Sequence, residues 1–316
     1  MDQMKIDSPW KLTTVQGSGP FPSQEIDVSG IKRKWLDIPY AEQSPNQKLD
    51  IFLPDEGEGP FPVYIFMHGG AYLFGAKRDA QLFHAIDGVT KGYAVVTVEQ
   101  RLAGEIQFPY GLFDLKAAIR FLRANAAKYK LDPEKFALAG DSAGAYYAIM
   151  CAATQDIPGF EDESMGNAGV SSKVQAVIGF YGCYDLMSML PPEPKEPPAD
   201  APKGPGPGAG GRQMPDLYQS LVGAKPRAIY GLMYFTNPFN FITKDFPPIL
   251  IQAGTKDQIV PPNQSQMLYD KVVEKCGEGR AELEFFEGWN HGGFSTDWYE
   301  PKHQGHVYEF LDKYLK

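Results

Sequence analysis

The chain has 316 residues, of which 43% are hydrophobic and 22% are charged, a composition that is typical of globular proteins and allows a large core. Asp and Glu outnumber Lys and Arg by 39 to 30, which gives a net charge of −9 at pH 7. This excess of negative charge disfavours binding to nucleic acid and to anionic membrane surfaces.

Two further features limit the possible class of protein. The three cysteines, Cys151, Cys183 and Cys276, are too few and too widely spaced for a disulfide framework or a zinc site. Cys151 and Cys183 lie in apolar stretches and are expected to be buried. Residues 1–18 contain no apolar run of the signal-peptide type, and no segment approaches the ~20 apolar residues of a membrane span. We therefore expect a cytoplasmic protein.

The predicted elements alternate along the chain after a polar, Gly- and Pro-rich arm (1–30) that is expected to dock loosely. Short apolar runs recur, and most are continuous, as is typical of parallel strands that are covered on both faces. Helical periodicity separates them. This order predicts an α/β fold with a mostly parallel eight-stranded sheet flanked by helices. The predicted strands are 34–38, 48–53, 63–67, 94–98, 136–139, 174–180, 249–253 and 282–286, and the helices lie around 112–122 and at 143–153, 263–275 and 304–315.

One insertion, residues 185–237, interrupts this alternation within what we expect to be a single domain, 1–316. Its segment 191–215 holds nine prolines and five glycines, so no regular element is expected there, and a surface loop is favoured. The aromatic-rich segment 217–235 favours a cap over the active site.

The strongest chemical signal is Gly140-Asp141-Ser142-Ala143-Gly144, which follows an apolar strand and begins an apolar helix. A nucleophile elbow requires this strand–turn–helix context, with glycines where the turn is tight. The pattern predicts that Ser142 is a nucleophile at the N-terminus of a helix, where free amides favour negative charge.

A glycine-containing loop, His68-Gly69-Gly70-Ala71, directly follows the strand 63–67. Such a loop can direct its amides into the site, and we predict an oxyanion hole formed by Gly69, Gly70 and Ala143. An ordinary turn between a strand and a helix is the alternative interpretation. His68 is expected to brace this loop, because the fold supplies its catalytic base after the elbow.

The other two members of a triad are sought after the elbow, in the order Ser, Asp, His. Asp257 follows the strand 249–253, at the sheet edge where catalytic groups collect. Asp185 and Asp245 are less well placed in this order. His291 lies in a Gly-rich loop after the last strand, whereas His84 precedes the elbow. His303 and His306 are interpreted as surface residues.

This set predicts a two-step acyl transfer without a metal or an organic cofactor. His291 would take the proton of Ser142, and Asp257 would orient the imidazole. Two alternatives remain: an amide hydrolase or peptidase with the same triad, and a catalytically inactive binding protein of this fold. The sequence leaves open whether the chain is a monomer or a homodimer.

Four motifs, H-G-G-A-Y, G-D-S-A-G, D-Q-I-V-P and N-H-G-G, resemble the hormone-sensitive-lipase-like branch of the α/β-hydrolases. Within it, the chain is most similar to bacterial esterases of the acetyl-xylan or feruloyl type (BD-FAE-like), over about residues 30–316. The resemblance implies an α/β-hydrolase fold and small ester substrates with short acyl groups, including acetyl or feruloyl groups on carbohydrates. Ala71 replaces the third glycine that is often found in the loop. Four residues in or next to these motifs are expected to bind the substrate: Ala71, Tyr72, Asp141 and Tyr146.

Overall fold

A computed structural model describes residues 10–15, 23–155, 157–190, 216–293 and 297–316. In these ranges the strands are β1 (Leu12–Val15), β2 (Ser23–Ile26), β3 (Lys34–Pro39), β4 (Lys48–Phe52), β5 (Phe61–Met67), β6 (Ala94–Glu99), β7 (Leu131–Asp141), β8 (Ala176–Phe180), β9 (Ile249–Gly254) and β10 (Ala281–Phe286). The α-helices are α1 (Phe83–Ile86), α2 (Tyr110–Ala124), α3 (Ala143–Ala153), α4 (Leu217–Val222), α5 (Tyr230–Phe235), α6 (Asn263–Cys276) and α7 (Gln304–Leu315). Short 3-10 helices are Ala80–Leu82, Asp87–Lys91, Pro158–Phe160, Glu163–Met165, Pro226–Ala228, Pro238–Asn240, Asp297–Tyr299 and Pro301–His303.

The main sheet has eight strands in the order β10-β9-β8-β7-β5-β6-β4-β3. Strand β4 runs antiparallel to both of its neighbours, and the other pairs are parallel. The predicted mostly parallel eight-stranded sheet is therefore confirmed. Strand β7 begins earlier than predicted, since Leu131 pairs with Phe61 while the polar residues 132–135 carry no apolar signal.

Each central strand is buried on both faces, which explains its continuous apolar sequence. On β5, Val63, Ile65 and Met67 belong to one core, which also includes residues of α2, α3 and α6. Tyr64 and Phe66 point to the opposite core, which includes residues of α1 and α7. No helix among the described residues is long and apolar enough to cross a membrane.

The N-terminal arm is more ordered than the sequence predicted. Strands β1 and β2 form an antiparallel pair, and the Ile26 amide donates to the Arg78 carbonyl at 2.9 Å. Ile26, Val28 and Ile31 are buried in the same core as α7. Strands of four residues are too short for their pattern to be recognised from the sequence. The rest of the arm, 1–9 and 16–22, lies outside the described residues.

The insertion between β8 and β9 contributes α4 and α5. Leu221 of α4 is fully buried, and its carbonyl accepts a hydrogen bond from the Phe108 amide at 2.7 Å. On α5, Tyr230, Tyr234 and Phe235 remain exposed. The predicted Pro/Gly loop, 191–215, lies outside the described residues, and the assignment of a cap stays a prediction.

A buried ion pair joins the end of β6 to α2 and gives a test of fold stability. Asp114 is fully buried and accepts hydrogen bonds from the amide, Nε and Nη2 of Arg101, and from Gln47. We expect Asp114→Ala to lower the free energy of unfolding by about 3–5 kcal/mol, because the Arg101 charge is left buried and unpaired. Urea unfolding measures this change.

The matched control is Asp245→Ala, which removes an exposed pair with Lys244. We expect this control to change stability by less than about 1 kcal/mol. An equal effect of the two substitutions would contradict the importance of the buried pair.

Candidate active site

Ser142 lies on the turn between β7 and α3, in a strained backbone conformation with φ 50° and ψ −118°. The turn closes because two positions lack side chains. A Cβ at Gly140 would lie 2.4 Å from the carbonyl carbon of Gly144, and a Cβ at Gly144 would lie 2.1 Å from the carbonyl oxygen of Met67. Strain of this kind in a non-glycine residue is typical of functional sites.

His291 lies between Ser142 and Asp257 in a continuous hydrogen-bonded series. Its Nε2 is 2.9 Å from Ser142 Oγ, and its Nδ1 is 2.7 Å from Asp257 Oδ2. The other carboxylate oxygen of Asp257 accepts the amides of Ile259 and Val260, each at 2.8 Å. The Asp257 side chain is 1% exposed, so its orientation is fixed by these bonds. The structure thus brings together the three side chains that the sequence predicted as a triad.

The loop that carries His291 is anchored on both sides. Asn290 Oδ1 accepts the Gln258 amide at 3.0 Å, which ties this loop to the one that carries Asp257. The Asn290 carbonyl accepts the indole N–H of Trp298 at 2.7 Å. The His291 ring packs edge-on against the Tyr181 ring, with centroids 4.8 Å apart. These contacts limit the rotation of the imidazole.

The alternative acids and histidines have other surroundings. Asp245 is exposed and pairs with Lys244, while the Asp185 amide donates to Gln264. The interpretation of His303 as a surface residue was wrong, because its side chain is fully buried. Its burial depends on packing between elements far apart in the chain, which the local sequence does not reveal.

The glycine loop departs from the predicted oxyanion hole at one position. The Gly69 amide donates to Asp141 Oδ1 at 2.7 Å and is also 2.7 Å from Gln81 Oε1, so it is not available to a substrate. The amides of Gly70, Ala71 and Ala143 form no hydrogen bond with any described residue. The inclusion of Gly69 was therefore wrong, and Ala71 takes its place among the candidate donors.

The loop itself has an uncommon backbone. Gly70, Ala71 and Tyr72 have consecutive positive φ values of 102°, 54° and 66°. Turn conformations of successive residues can direct neighbouring amides to a common point, as in anion-binding loops. The Gly70 carbonyl accepts the amides of Leu73 and Phe74, which closes the turn.

His68 braces this loop from beneath, as its predicted structural role implies. It is 1% exposed, with Nδ1 2.8 Å from the Gly69 carbonyl and Nε2 3.4 Å from Glu99 Oε1. Burial alone would lower the pKa of His68, but the neighbouring Glu99 carboxylate raises it to about 9. His68 is therefore a buried cation beneath the loop at neutral pH.

The four residues expected to bind the substrate divide into two groups. Ala71 keeps part of its surface exposed, so its role stays a prediction. Asp141, Tyr72 and Tyr146 are at most 3% exposed. Direct substrate contact by these three stays a prediction that their burial does not support, because local sequence does not show which side of the elbow the core covers.

The three buried residues instead support the site. The Tyr72 hydroxyl is 3.1 Å from Cys183 Sγ, and its ring packs edge-on against Tyr146. The Tyr146 hydroxyl donates to the Thr236 carbonyl at 2.9 Å, which attaches the insertion to α3. Cys151 and Cys183 are buried, as predicted.

Metal ligation has no candidate among the described residues, where no three His, Cys, Asp or Glu side chains are grouped around a common point. Ser142, Asp257 and His291 all follow the carboxyl ends of parallel strands. This arrangement on a mostly parallel sheet defines the chain as an α/β-hydrolase.

Comparison with known proteins gives the family. The BD-FAE family model matches residues 49–272, and the chain belongs to this family. A probable carboxylic ester hydrolase, LipM of Mycobacterium tuberculosis, is 28% identical over 79% of this chain and 54% of its own length. The chain spans about half the length of three curated relatives that it matches.

Two solved structures are similar along most of the chain. A truncated carbohydrate esterase from gut microbiota has a TM-score of 0.72 and 26% identity, covering 88% of this chain and 96% of that one. A bifunctional GH43-CE protein of Bacteroides eggerthii has a TM-score of 0.73 and 27% identity, covering 92% of this chain and 39% of that one.

The close approach at Gly144 gives a testable prediction. We expect Gly144→Ala to lower the free energy of unfolding by about 3 kcal/mol or more, because its Cβ would collide with the backbone carbonyls of Met67 and His68. Chemical denaturation monitored by circular dichroism measures the change.

Gly305→Ala is the matched control, since Gly305 also lies in a helix and a Cβ there meets nothing within 4 Å. We expect this control to leave stability unchanged or to raise it by up to about 1 kcal/mol. A Gly144→Ala variant as stable as the control would contradict the steric argument.

Proposed function

We propose that the protein is a serine carboxylesterase in which Ser142 is the nucleophile, His291 the general base and Asp257 the residue that orients the base. The observation that carries this proposal is the series of short contacts from Ser142 Oγ through the His291 ring to Asp257. Nucleophile–base and base–acid hydrogen bonds of this kind are the geometric signature of nucleophilic catalysis.

In the first half-reaction, Ser142 Oγ attacks the ester carbonyl carbon while its proton passes to His291 Nε2. The imidazolium that results is stabilised by the Asp257 carboxylate at Nδ1. His291 then donates the proton to the leaving alcohol oxygen as the C–O bond breaks. An acyl group remains on Ser142.

The negative charge on the carbonyl oxygen would be held by the amides of Gly70, Ala71 and Ala143. Ala143 is the first residue of α3, so its amide also lies at the positive end of a helix dipole. The loss of one such donor typically lowers the rate by about 10²–10³-fold. The buried His68 cation adds positive potential near the loop.

In the second half-reaction, water attacks the acyl carbon as His291 removes its proton. The tetrahedral species collapses, the proton returns to Ser142 Oγ, and the carboxylic acid leaves. Apart from the ester and the attacking water, the groups that take part in these steps are side chains and backbone amides of this chain.

We propose small carboxylic esters as substrates, with short acyl groups on carbohydrates as the leading class. The similarity to a carbohydrate esterase over nearly the whole of both chains supports this class. Rates on matched ester and anilide substrates distinguish it from amide hydrolysis, and faster cleavage of the anilide would overturn the esterase proposal.

The test of the nucleophile is the hydrolysis of p-nitrophenyl acetate, butyrate and octanoate. We expect Ser142→Ala to reduce kcat by about 10⁴-fold or more, because the variant lacks the hydroxyl that forms the proposed acyl intermediate. We expect the wild type to prefer acetate or butyrate.

Ser164→Ala serves as the control, since Ser164 is an exposed residue that bonds Asp162 away from the site. It should retain full activity. A fully active Ser142→Ala variant would overturn the mechanism, and a wild type inactive on all three esters would favour the binding-protein alternative.

The role of the acid is tested by Asp257→Asn. An asparagine keeps the size of the side chain but favours the wrong imidazole tautomer, and we expect kcat to fall by about 10⁴-fold with little change in KM. Asp185→Asn is the control. A similar loss in the two variants would contradict the assignment of Asp257.

A further inference from the structure

A line of buried polar groups leads from Asp141 away from the candidate active site. The Tyr181 hydroxyl is 3.4 Å from Asp141 Oδ2 and 2.7 Å from His84 Nε2. His84 Nδ1 is 3.0 Å from His303 Nε2, and His303 Nδ1 is 2.9 Å from the Glu300 carbonyl oxygen. The four side chains are each at most 1% exposed.

The end of this line fixes the direction of its hydrogen bonds. The Glu300 carbonyl can only accept, so the proton of the His303 ring lies on Nδ1. Burial lowers the pKa of His303 to about 4, so this ring is neutral and its Nε2 is an acceptor. His84 Nδ1 must therefore donate to it.

The same reasoning continues through His84 to Tyr181. Burial, and then the neighbouring His303, lower the pKa of His84 well below its usual range, so His84 is also neutral. Because its proton lies on Nδ1, its Nε2 accepts. The single proton of the Tyr181 hydroxyl is thus donated to His84, and its oxygen faces Asp141 as an acceptor.

Asp141 must supply the remaining proton. The oxygens of Tyr181 and Asp141 would repel each other if no hydrogen lay between them. A carboxylic acid removes this repulsion, because it can donate from Oδ2 to Tyr181. Its Oδ1 still accepts the Gly69 amide at 2.7 Å. A neutral carboxylic acid has one oxygen that donates and one that accepts. This pattern matches the Tyr181 hydroxyl at Oδ2 and the Gly69 amide at Oδ1.

We propose that Asp141 is a neutral carboxylic acid in the working protein, and that the Asp141–Tyr181–His84–His303 chain is a positioning device for the oxyanion loop. Through it, Asp141 holds the Gly69 amide against the elbow without placing a negative charge beside the developing oxyanion. The protonation state follows from the hydrogen-bond geometry together with the neutral state of the two buried histidines, and the positioning role rests on the proposed function.

The charges around Asp141 agree with this assignment. Burial first, and then the Asp79 carboxylate, raise the pKa of Asp141 to about 8, although the Gly69 amide and the His68 cation act in the opposite direction. The phenol of Tyr299 also interacts electrostatically with Asp141. On the far side of Tyr181 lie the triad residues His291 and Asp257.

Tyr181 also connects this chain to the base. Its ring contacts His291, and a Cβ on Gly292 would lie 2.0 Å from its hydroxyl oxygen. A displaced Tyr181 would therefore disturb both the His291 loop and Asp141.

Ionisation of Asp141 as the pH rises through about 8 would remove the proton that Asp141 donates to Tyr181 and add a negative charge next to the oxyanion loop. Activity should fall on this alkaline side.

The first experiment measures protonation without any substrate. In infrared difference spectra between about pH 7 and pH 10, we expect the carbonyl band of a protonated carboxylic acid to disappear, and Asp141→Asn to lack this band. Nitrogen NMR of labelled histidine should show His84 and His303 as neutral Nδ1–H tautomers across this range. Neither readout depends on esterase activity, and the tautomers are measured on the wild-type protein without any variant.

The second experiment measures activity. We expect Asp141→Asn, which keeps one donor and one acceptor, to lower kcat about 3-fold and to lose the alkaline fall, whereas Asp141→Leu should lower kcat about 10²-fold. Tyr181→Phe should lower kcat about 10-fold at unchanged KM. Tyr308→Phe is its control, because the buried Tyr308 hydroxyl has no hydrogen-bond partner among the described residues.

Two results would overturn the proposal: an Nε2–H tautomer at His84, or the absence of an acid band that Asp141→Asn removes. An acid band with equal losses in Asp141→Asn and Asp141→Leu would overturn the positioning role alone. Wild-type protein that shows the band and both tautomers but hydrolyses no ester would refute the proposed function and leave the protonation state intact.

Discussion

The tight turn at Ser142 is the constraint on which the rest of the site depends. With φ at 50°, the side chain of Ser142 stands above the junction of β7 and α3, and the Ser142 amide donates to the Phe180 carbonyl of the adjacent strand at 2.9 Å. The two glycines of the motif allow α3 to approach β5 so closely that Gly144 touches the Met67 carbonyl. The surrounding sheet must stabilise the strain, because an isolated turn would relax.

The sheet order then brings the other groups to the same place. Five adjacent parallel strands, β10-β9-β8-β7-β5, end at one edge. They are followed in turn by His291, Asp257, Tyr181, Ser142 and the glycine loop. The loops that follow adjacent parallel strands lie side by side, so residues that are far apart in the sequence come close together in space. The hydrogen bond from Ser142 to His291 thus spans 149 positions of the chain.

Much of this arrangement follows from local sequence patterns. Continuous apolar runs identify most of the eight strands, since strands covered on both faces have no polar side, and the order Ser, Asp, His selects three residues. The oxyanion amides are less accessible to this reasoning. The Gly69 amide is occupied by a side-chain oxygen of Asp141, 72 positions away, and no local pattern reveals that contact. The burial of His303 beside His84 has the same origin, because it depends on α7 packing beneath the sheet. Tyr181 carries one signal that could have been used: it directly follows a buried strand that ends at the catalytic edge.

The most direct test of the central claim is covalent labelling of the protein with paraoxon, followed by intact-mass measurement and peptide mapping. The account predicts one diethylphosphoryl group per chain, located on Ser142, because only an activated serine attacks phosphorus at a useful rate. His291→Ala should slow the labelling strongly, since the base that removes the Ser142 proton is lost. A label on another residue, or esterase activity that persists while Ser142 remains unlabelled, would contradict the account.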